Sequence, residues 1–233
     1  MDLIRLNKHL KDIGLCSRRK ADEFIANGFI KINGTVICEL GYKINPLTDV
    51  VTVSDDAHQV IDKFVYIVLN KPIGYVCSRD KEEGDTIYDL LPNDMKDDLA
   101  YAGRLDKDSS GLVILSNNGK FVYSVFNKLE ECEKEYLVTV NKPIHDEYLY
   151  QQSHGLIRLD GKAVRRAKVW QTGIKSYGMI LTEGMNRQIR RMAENQGYVV
   201  TKLKRVRVGC VTDHGLDLGT WRFLTKEEIE FFH

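Results

Sequence analysis

The segment GRLDKDSSG carries the acidic side chain of this sequence that is best placed for chemistry. Asp106 lies in a polar turn between two apolar segments, and Arg104 and Lys107 stand beside it. Neighbouring cations favour the ionised form of a carboxylate, which is the form that can attack an electrophile. The alternative is a charged hairpin tip without chemistry, for which Asp108 would serve equally well.

The segment EGMNRQIRRMAENQG combines arginines with the signals of a helix. Asn186 can cap a helix that Gly197 ends. In this predicted helix, four charged residues are spaced at i, i+3, i+4 and i+7, which places them on one face. These are Arg187, Arg190, Arg191 and Glu194. A helix N-terminus with several arginines attracts anions. The alternative, a salt-bridged surface helix, leaves three arginines with one acidic partner.

Charge is unevenly distributed along the 233 residues. The chain holds 34 basic and 33 acidic residues. Residues 162–207 nevertheless contain twelve basic and two acidic side chains, and residues 1–31 contain seven and four. Residues 80–98 are acidic, with eight acidic and two basic side chains. Two basic segments favour a nucleic-acid partner over a merely solvated charged face.

Several classes of protein are excluded by what the sequence lacks. No apolar run reaches 18 residues, so no membrane span is predicted. The N-terminal residues lack the pattern of a signal peptide. Five scattered cysteines without C-x-x-C favour a reducing cytosol, and six histidines without H-E-x-x-H give no metal site. We therefore expect a soluble cytoplasmic protein without a catalytic metal.

Residues 1–53 are predicted to form a compact unit of two helices and a hairpin. Apolar residues at helical spacing predict a first short helix, and Ser17 can cap a second helix over residues 18–26. Asn-Gly at 33–34 is a strong hairpin signal. The polar residues 54–62 are expected to form a linker.

From residue 63 onward, strands alternate with a few short helices. This pattern predicts an α+β fold with a mixed or antiparallel sheet. The predicted strands are 64–70, 112–116, 135–140, 167–171, 177–182 and 204–208. The predicted helices are 86–91, 119–129 and 225–232, the last with a capping box from Thr225 to Glu228.

Four motifs, in this order, resemble the RsuA-type branch of the pseudouridine synthases: LNKPIGYVCS, GRLDKDSSGLVILSNNG, KEYLVTV and EGMNRQIRRM. The segment IRLNKHLKDIGLCSRRKADEFIANGFIKINGT is similar to an S4 RNA-binding domain. KEYLVTVNKPI and a non-arginine residue at Met185 are most similar to the RluF-type enzymes that act on 23S rRNA. The resemblance implies an S4-like domain with its linker at 1–60 and a catalytic domain at 61–233.

The resemblance also implies roles for individual residues. Asp106 matches the family's nucleophile, and Tyr136 matches a tyrosine that stacks on the target base and takes part in proton removal. Arg190 matches an arginine that pairs with the aspartate. Arg104 matches a residue that holds the RNA or the space left by the flipped base. Weaker matches are the structural residues Lys71 and Pro72, and Ile189 in the apolar wall.

The implied reaction converts a uridine N–C glycosidic bond into a C–C bond without net redox change, so no cofactor is required. The target nucleotide must leave its stack, at a cost of a few kcal/mol. Attack of Asp106 at C1′ and attack at C6 of the base both stay open.

The implied partner is RNA, either an rRNA stem-loop or tRNA, bound by a monomer. The expected RNA-binding residues are Lys8, Arg18, Arg19, Lys20, Arg104, Arg187 and Arg191. A non-catalytic RNA-binding or ribosome-assembly protein is the alternative, but such a protein has no reason to keep Asp106, Tyr136 and Arg190 together.

Overall fold

The computed structural model describes residues 3–16, 18–54 and 64–233, and its first segments form a small helical and hairpin unit. Its elements are β1 (Ile4–Arg5), α1 (Leu6–Asp12), α2 (Arg18–Ala26), β2 (Ile30–Ile32), β3 (Thr35–Ile37), β4 (Lys43–Ile44) and β5 (Val51–Val53). The helix α2 has its predicted bounds. The helix α1 is shorter than its apolar spacing suggests, because the preceding residues pair with β4 as strand β1.

The predicted hairpin is confirmed, with β2 at the centre of a three-stranded sheet. Asn33 (φ 51°) and Gly34 (φ 83°) both adopt positive φ, which is the geometry of a tight two-residue hairpin turn. Ile30 and Ile32 point inward between the sheet and the helices. The predicted Ser17 cap and the predicted domain boundary at 60/61, with most of the linker, lie outside the described residues.

A larger mixed sheet organises the rest of the chain. Its strands are β6 (Tyr66–Lys71), β7 (Ala100–Ala102), β8 (Ser110–Ser116), β9 (Lys134–Val140), β12 (Lys168–Gly173), β13 (Ser176–Leu181), β14 (Val200–Val208), β15 (Val211–Thr212) and β16 (Trp221–Phe223). The main order is β12-β13-β9-β14-β8-β6-β16. The β14–β8 pair is parallel and the other pairs are antiparallel. A separate two-stranded ribbon joins β10 (Arg158–Leu159) to β11 (Lys162–Ala163).

Helices flank this sheet. They are α3 (Gly119–Leu129), α4 (Asp146–His154), α5 (Gln188–Asn195) and α6 (Lys226–Phe232), with a short 3₁₀ helix at Ile87–Leu90. The predicted capping box of α6 is present, because Thr225 accepts a hydrogen bond from the Glu228 amide while the Glu228 carboxylate accepts one from the Thr225 amide. The α+β prediction is confirmed. Within the described residues, no helix combines the length and apolar character needed to cross a membrane.

The central strand β8 is buried on both faces. Leu112 and Ile114 pack toward α3 and α6, while Val113 and Leu115 pack toward the 3₁₀ helix on the other side. A strand covered on both faces reads as a continuous apolar run, as this one does. The loop that precedes β8 is therefore anchored on one of the least movable elements of the fold.

Candidate active site

A pocket of about 340 Å³ opens above the sheet, between the β7–β8 loop and the segment that leads into α5. Asp106, Tyr136 and Arg104 line it, together with Arg187 and Ile189. Three distant segments therefore bring the expected nucleophile, the expected stacking residue and two expected RNA contacts to one place. This volume falls within the range of small-molecule sites, which is roughly 300–1,000 Å³.

The turn that carries Asp106 is a hairpin loop, because β7 and β8 pair as adjacent antiparallel strands. Main-chain hydrogen bonds hold its shape: the Ser109 amide donates to the Asp106 carbonyl at 3.0 Å, and the Gly74 amide donates to the Lys107 carbonyl at 2.8 Å. The Lys107 ammonium turns away from the pocket and donates to the carbonyl of Glu83. Asp106 is thus presented to the pocket by a fixed loop.

The carboxylate of Asp106 is paired with Arg187 and not with Arg190. Nη1 of Arg187 lies 3.5 Å from Oδ2 of Asp106. The expected pair between Arg190 and Asp106 is not formed among the described residues; Nε of Arg190 lies 3.2 Å from Oδ2 of Asp108 instead. That contact is an ion pair without hydrogen-bond geometry. The predicted Arg190–Asp106 pair was wrong, because the sequence motif does not show which arginine the fold brings next to Asp106.

Arg190 ties α5 to the base of the Asp106 loop. Its Nη2 donates to the Asp108 carbonyl at 2.7 Å and to Ser109 Oγ at 3.2 Å, and its Nη1 donates to the Val200 carbonyl at 3.0 Å. Burial lowers the pKa of Arg190, and the charge of Asp108 opposes that shift. Arg190 does not line the pocket. Its contacts are those of a residue that positions the loop.

Asp108 is the acidic residue shared by both arginines. Burial disfavours its charged form, but hydrogen bonds from Arg187 and the charges of Arg190 and Arg187 outweigh burial and hold the pKa of Asp108 below its ordinary value. Hydrogen bonds to the charged form lower a carboxyl pKa in this way. Asp108 is therefore the carboxylate through which Arg187 and Arg190 contact the loop that carries Asp106.

The helix α5 begins differently from the prediction. Arg187, with φ 48°, is the residue before the helix, and Asn186 does not cap it. Gln188 instead organises the start: its Oε1 accepts from the Met185 amide at 3.0 Å, and its Nε2 donates to Glu183. The three arginines do not share one face, because Arg190 is buried and the other two are not.

The arginines also have more acidic partners than the local sequence offers. Besides the loop carboxylates, Asp160 lies 2.6 Å from Nη2 of Arg191. Acidic residues from other parts of the chain thus offset part of the excess positive charge in this segment.

Tyr136 lies on the floor of the pocket. It stands on β9, directly opposite Met179 on β13 and Arg205 on β14. Its ring is half-buried and packs against the apolar cluster below the sheet surface. The buried side chain of Ile189 adds to the wall. A ring held in this way offers an apolar face to a planar base.

The remaining expected residues lie farther out. Lys8, Arg18 and Arg19 are exposed on the amino-terminal unit, while the Lys20 ammonium lies 2.7 Å from Glu23 Oε2. Lys71 is buried and donates to the carbonyls of Pro72 and Tyr75, as a structural residue does.

Two buried cations of the pocket were missed by the sequence analysis, Lys134 and Arg205. Lys134 alone has a sequence signal. Lys134 stands two residues before Tyr136 in a strand, so the two side chains point to the same face. Among the described residues, no group of three or more His, Cys, Asp or Glu side chains is placed to hold a metal ion.

An acidic hairpin loop, an aromatic floor and an arginine-rich wall meet at one pocket on a mixed sheet, which is the arrangement expected of an enzyme that binds a nucleotide base. One solved structure, described as a crystal structure of pseudouridylate synthase, is 30% identical with a TM-score of 0.71, and the match covers 99% of this chain and 100% of the other. Residues 65–195 match the RNA pseudouridylate synthase family, and residues 4–51 match the S4 domain. The chain belongs to the RNA pseudouridylate synthase family.

Several curated relatives agree with this assignment. The dual-specificity RNA pseudouridine synthase RluF of Escherichia coli K12 is 40% identical over 97% of this chain and 77% of its own length. The ribosomal small subunit pseudouridine synthase A of Haemophilus influenzae is 33% identical, over 97% and 98%. The ribosomal large subunit pseudouridine synthase B of Bacillus subtilis is 33% identical, over 97% and 94%. The predicted resemblance is thereby confirmed.

Proposed function

We propose that this enzyme is an rRNA pseudouridine synthase that isomerises one uridine, in 23S rRNA, to pseudouridine. The observation that carries the proposal is the pocket in which the Asp106 carboxylate and the Tyr136 ring face the same space. A carboxylate supplies a nucleophile, and an aromatic face holds a planar base that has left its stack. The similarity to a ribosomal large subunit pseudouridine synthase supports the choice of 23S rRNA.

The proposed division of labour follows the geometry. Asp106 attacks the target nucleotide, Tyr136 stacks on the flipped uracil and takes part in proton removal, and Arg187 orients Asp106 through their 3.5 Å contact. Arg190 supports the loop through Asp108. Arg104 is exposed at the pocket and is proposed to hold the RNA around the displaced nucleotide.

The amino-terminal unit is proposed to add affinity and substrate choice. We assign residues 1–60 to this RNA-binding domain with its linker and residues 61–233 to catalysis. Phosphate contacts are proposed for cations of the first domain and for arginines near the pocket. These residues are Lys8, Arg18, Arg19, Lys20, Arg104, Arg187 and Arg191. We further propose that the protein acts as a monomer in the cytoplasm, where its RNA substrate is found.

A second candidate substrate is 16S rRNA, favoured by the similarity to a small-subunit synthase. Modification of tRNA is a third. Mapping of pseudouridine in 23S rRNA, 16S rRNA and tRNA separates them, in cells that lack the gene and in cells complemented with the wild type or with Asp106→Asn. We expect one 23S position to lose its pseudouridine and to regain it with the wild type alone. An unchanged 23S pattern would exclude this substrate, and loss of a 16S or tRNA position would identify the alternative.

A further inference from the structure

Lys134 and Arg205 form a pair of cations in the floor of the pocket, beside Tyr136. Lys134 precedes Tyr136 by two positions on β9, and Arg205 is the residue that faces Tyr136 across the β9–β14 pair. Directly opposite residues in a sheet lie about 4.5–5.5 Å apart at Cβ. Both cations line the pocket, with side chains from the same face of the sheet. We call Lys134 and Arg205 the cationic floor.

The cationic floor is buried, and its protein partners are neutral. Lys134 is 2% exposed and Arg205 is 4% exposed. The Lys134 ammonium donates to the carbonyls of Leu129 and Cys132, and the Arg205 guanidinium donates through Nε and Nη2 to the carbonyl of Leu112. Neither residue has an ion pair with an acidic side chain in the part of the chain that the structure describes.

Buried cations without an acidic partner are costly, because main-chain carbonyls replace only part of the lost hydration. Burial accordingly lowers the pKa of Lys134, and the charge of Arg205 contributes to the same shift. Glu183 and Glu130 also line the pocket, but Glu183 already accepts hydrogen bonds from Arg165 and Gln188. Each cation has donor hydrogens left, since Lys134 uses two of three and the Arg205 Nη1 bonds to no described residue.

We infer that Lys134 and Arg205 bind the negative charge that the uracil ring carries during the isomerisation. The inference rests on the proposed function. When Asp106 attacks C1′, the C1′–N1 bond breaks and its electron pair stays on the ring, spread over N1 and the carbonyl oxygens. When Asp106 attacks C6, the π pair of the C5=C6 double bond moves to C5 and O4. On the C1′ route, C5 then displaces the Asp106 carboxylate from C1′. On the C6 route, C5 displaces N1 from C1′, and the later loss of the C5 proton expels the Asp106 carboxylate from C6. On both routes C5 loses its proton, N1 gains one and Asp106 is regenerated.

The position of the cationic floor suits this role. Tyr136 offers its ring to the base, and Arg205 lies beside that ring on the next strand, so a stacked uracil places its polar edge near the cations. Donors preorganised where charge develops are among the strongest catalytic contributions, and loss of one costs roughly 10²–10³-fold in rate. The two residues would thus serve the chemical step and not RNA affinity.

An equilibrium experiment tests the inference without turnover. Binding of 5-nitrouracil, which is an anion at pH 8, is compared with binding of thymine, which is neutral and of similar size. We expect the wild type to bind the anion about tenfold more tightly, in line with one or two charge-assisted hydrogen bonds. Lys134→Gln and Arg205→Gln, which keep an N–H donor but remove the charge, should bring the ratio of affinities close to one.

The matched control is Lys128→Gln. Lys128 also donates to a main-chain carbonyl, that of Phe231, but it does not line the pocket. The Lys128→Gln variant should keep the wild-type ratio of the two affinities. Thermal unfolding establishes that each variant is folded. If Arg205→Gln is not folded, the ratio of affinities is compared between Lys134→Gln and Lys134→Arg, which retains the charge. A wild type without preference for the anion, or a ratio unchanged in the folded variants, would overturn the inference.

Single-turnover rates add the second arm. On the RNA that the wild type modifies, Lys134→Gln should lower the chemical rate by roughly 10²-fold and leave RNA affinity within about threefold. A wild type that modifies no RNA would contradict the proposed function. The ratio of the 5-nitrouracil and thymine affinities would still test the role of the cationic floor. An active wild type with a fully active Lys134→Gln variant would contradict the inference alone.

Discussion

Arg187 holds the carboxylate of Asp108 with two hydrogen bonds, from Nη1 to Oδ1 at 3.1 Å and from Nη2 to Oδ2 at 3.0 Å. The same Nη1 lies 3.5 Å from Oδ2 of Asp106. A two-pronged grip restricts the planar guanidinium far more than a single contact would. Asp108 therefore fixes the cation that faces the expected nucleophile, and the loop carries two carboxylates with separate tasks.

We expect Asp106→Asn to abolish pseudouridine formation and to leave RNA binding nearly intact. The amide keeps the shape of the side chain but removes the negative charge that attack requires. Product formation on a 23S rRNA stem-loop and filter binding of the same RNA measure the two properties. Asp94→Asn, an exposed change of the same type, is the control. Pseudouridine produced by the Asp106→Asn protein would refute the assignment of the nucleophile.

Substitution of Arg187 and substitution of Arg190 should affect catalysis and stability differently. Arg187→Gln removes the cation next to Asp106 from an exposed site, so the chemical rate should fall more than stability. Arg190→Gln disrupts buried hydrogen bonds to the loop and to Val200, and should lower the free energy of unfolding by about 2–4 kcal/mol. Urea unfolding and single-turnover rates separate the two. The opposite ranking would return the pairing role to Arg190.

Asp108→Asn should show a pH-dependent loss of stability. The pKa of Asp108 is depressed in the fold, so its contribution is present above the unfolded pKa of about 3.9 and is lost as pH falls through the folded pKa. Since the side chain is 47% exposed, solvent screening limits this electrostatic contribution to about 1 kcal/mol or less. Urea unfolding should show the wild type to be more stable than the variant at pH 7 and the difference to be smaller at pH 3. A difference in stability that is as large at pH 3 as at pH 7 would point to packing instead of charge.

Tyr136→Phe and Tyr136→Ala separate stacking from proton transfer. If stacking dominates, the phenylalanine variant should keep substantial activity, while the alanine variant should lose the roughly 1–3 kcal/mol that an aromatic ring contributes per stacked base. Single-turnover rates on a stem-loop substrate provide the measurement. Equal losses in both variants would assign the hydroxyl to proton removal.

The amino-terminal cations should act on affinity alone. A variant with Lys8, Arg18 and Arg19 all changed to glutamine should bind RNA more weakly and with a shallower salt dependence. The slope of log K against log salt should fall by about 2, at roughly 0.7 per lost phosphate contact. The rate at saturating RNA should stay unchanged. An unaltered slope would exclude these three residues as phosphate contacts.

The sequence by itself determined those features that local physical rules control. The α2 helix, the Asn33-Gly34 turn, the α3 helix and the capping box of α6 depend on residues a few positions apart, and all are found as predicted. The helix α4 escaped prediction because it presents only two buried side chains, Tyr148 and Gln152, and so lacks a clear apolar stripe.

Tertiary structure decided how the charges of the site are paired. Arg187 meets Asp108 across 79 positions of sequence, and Arg191 meets Asp160 across 31. Spacing along one helix cannot foresee such partners, because Coulomb energy depends on distance in space and on the local dielectric. The same holds for Arg205, which becomes a neighbour of Tyr136 only when β14 pairs with β9. The motifs therefore named Asp106 and Tyr136, whereas the sheet and its loops determined which cations surround them.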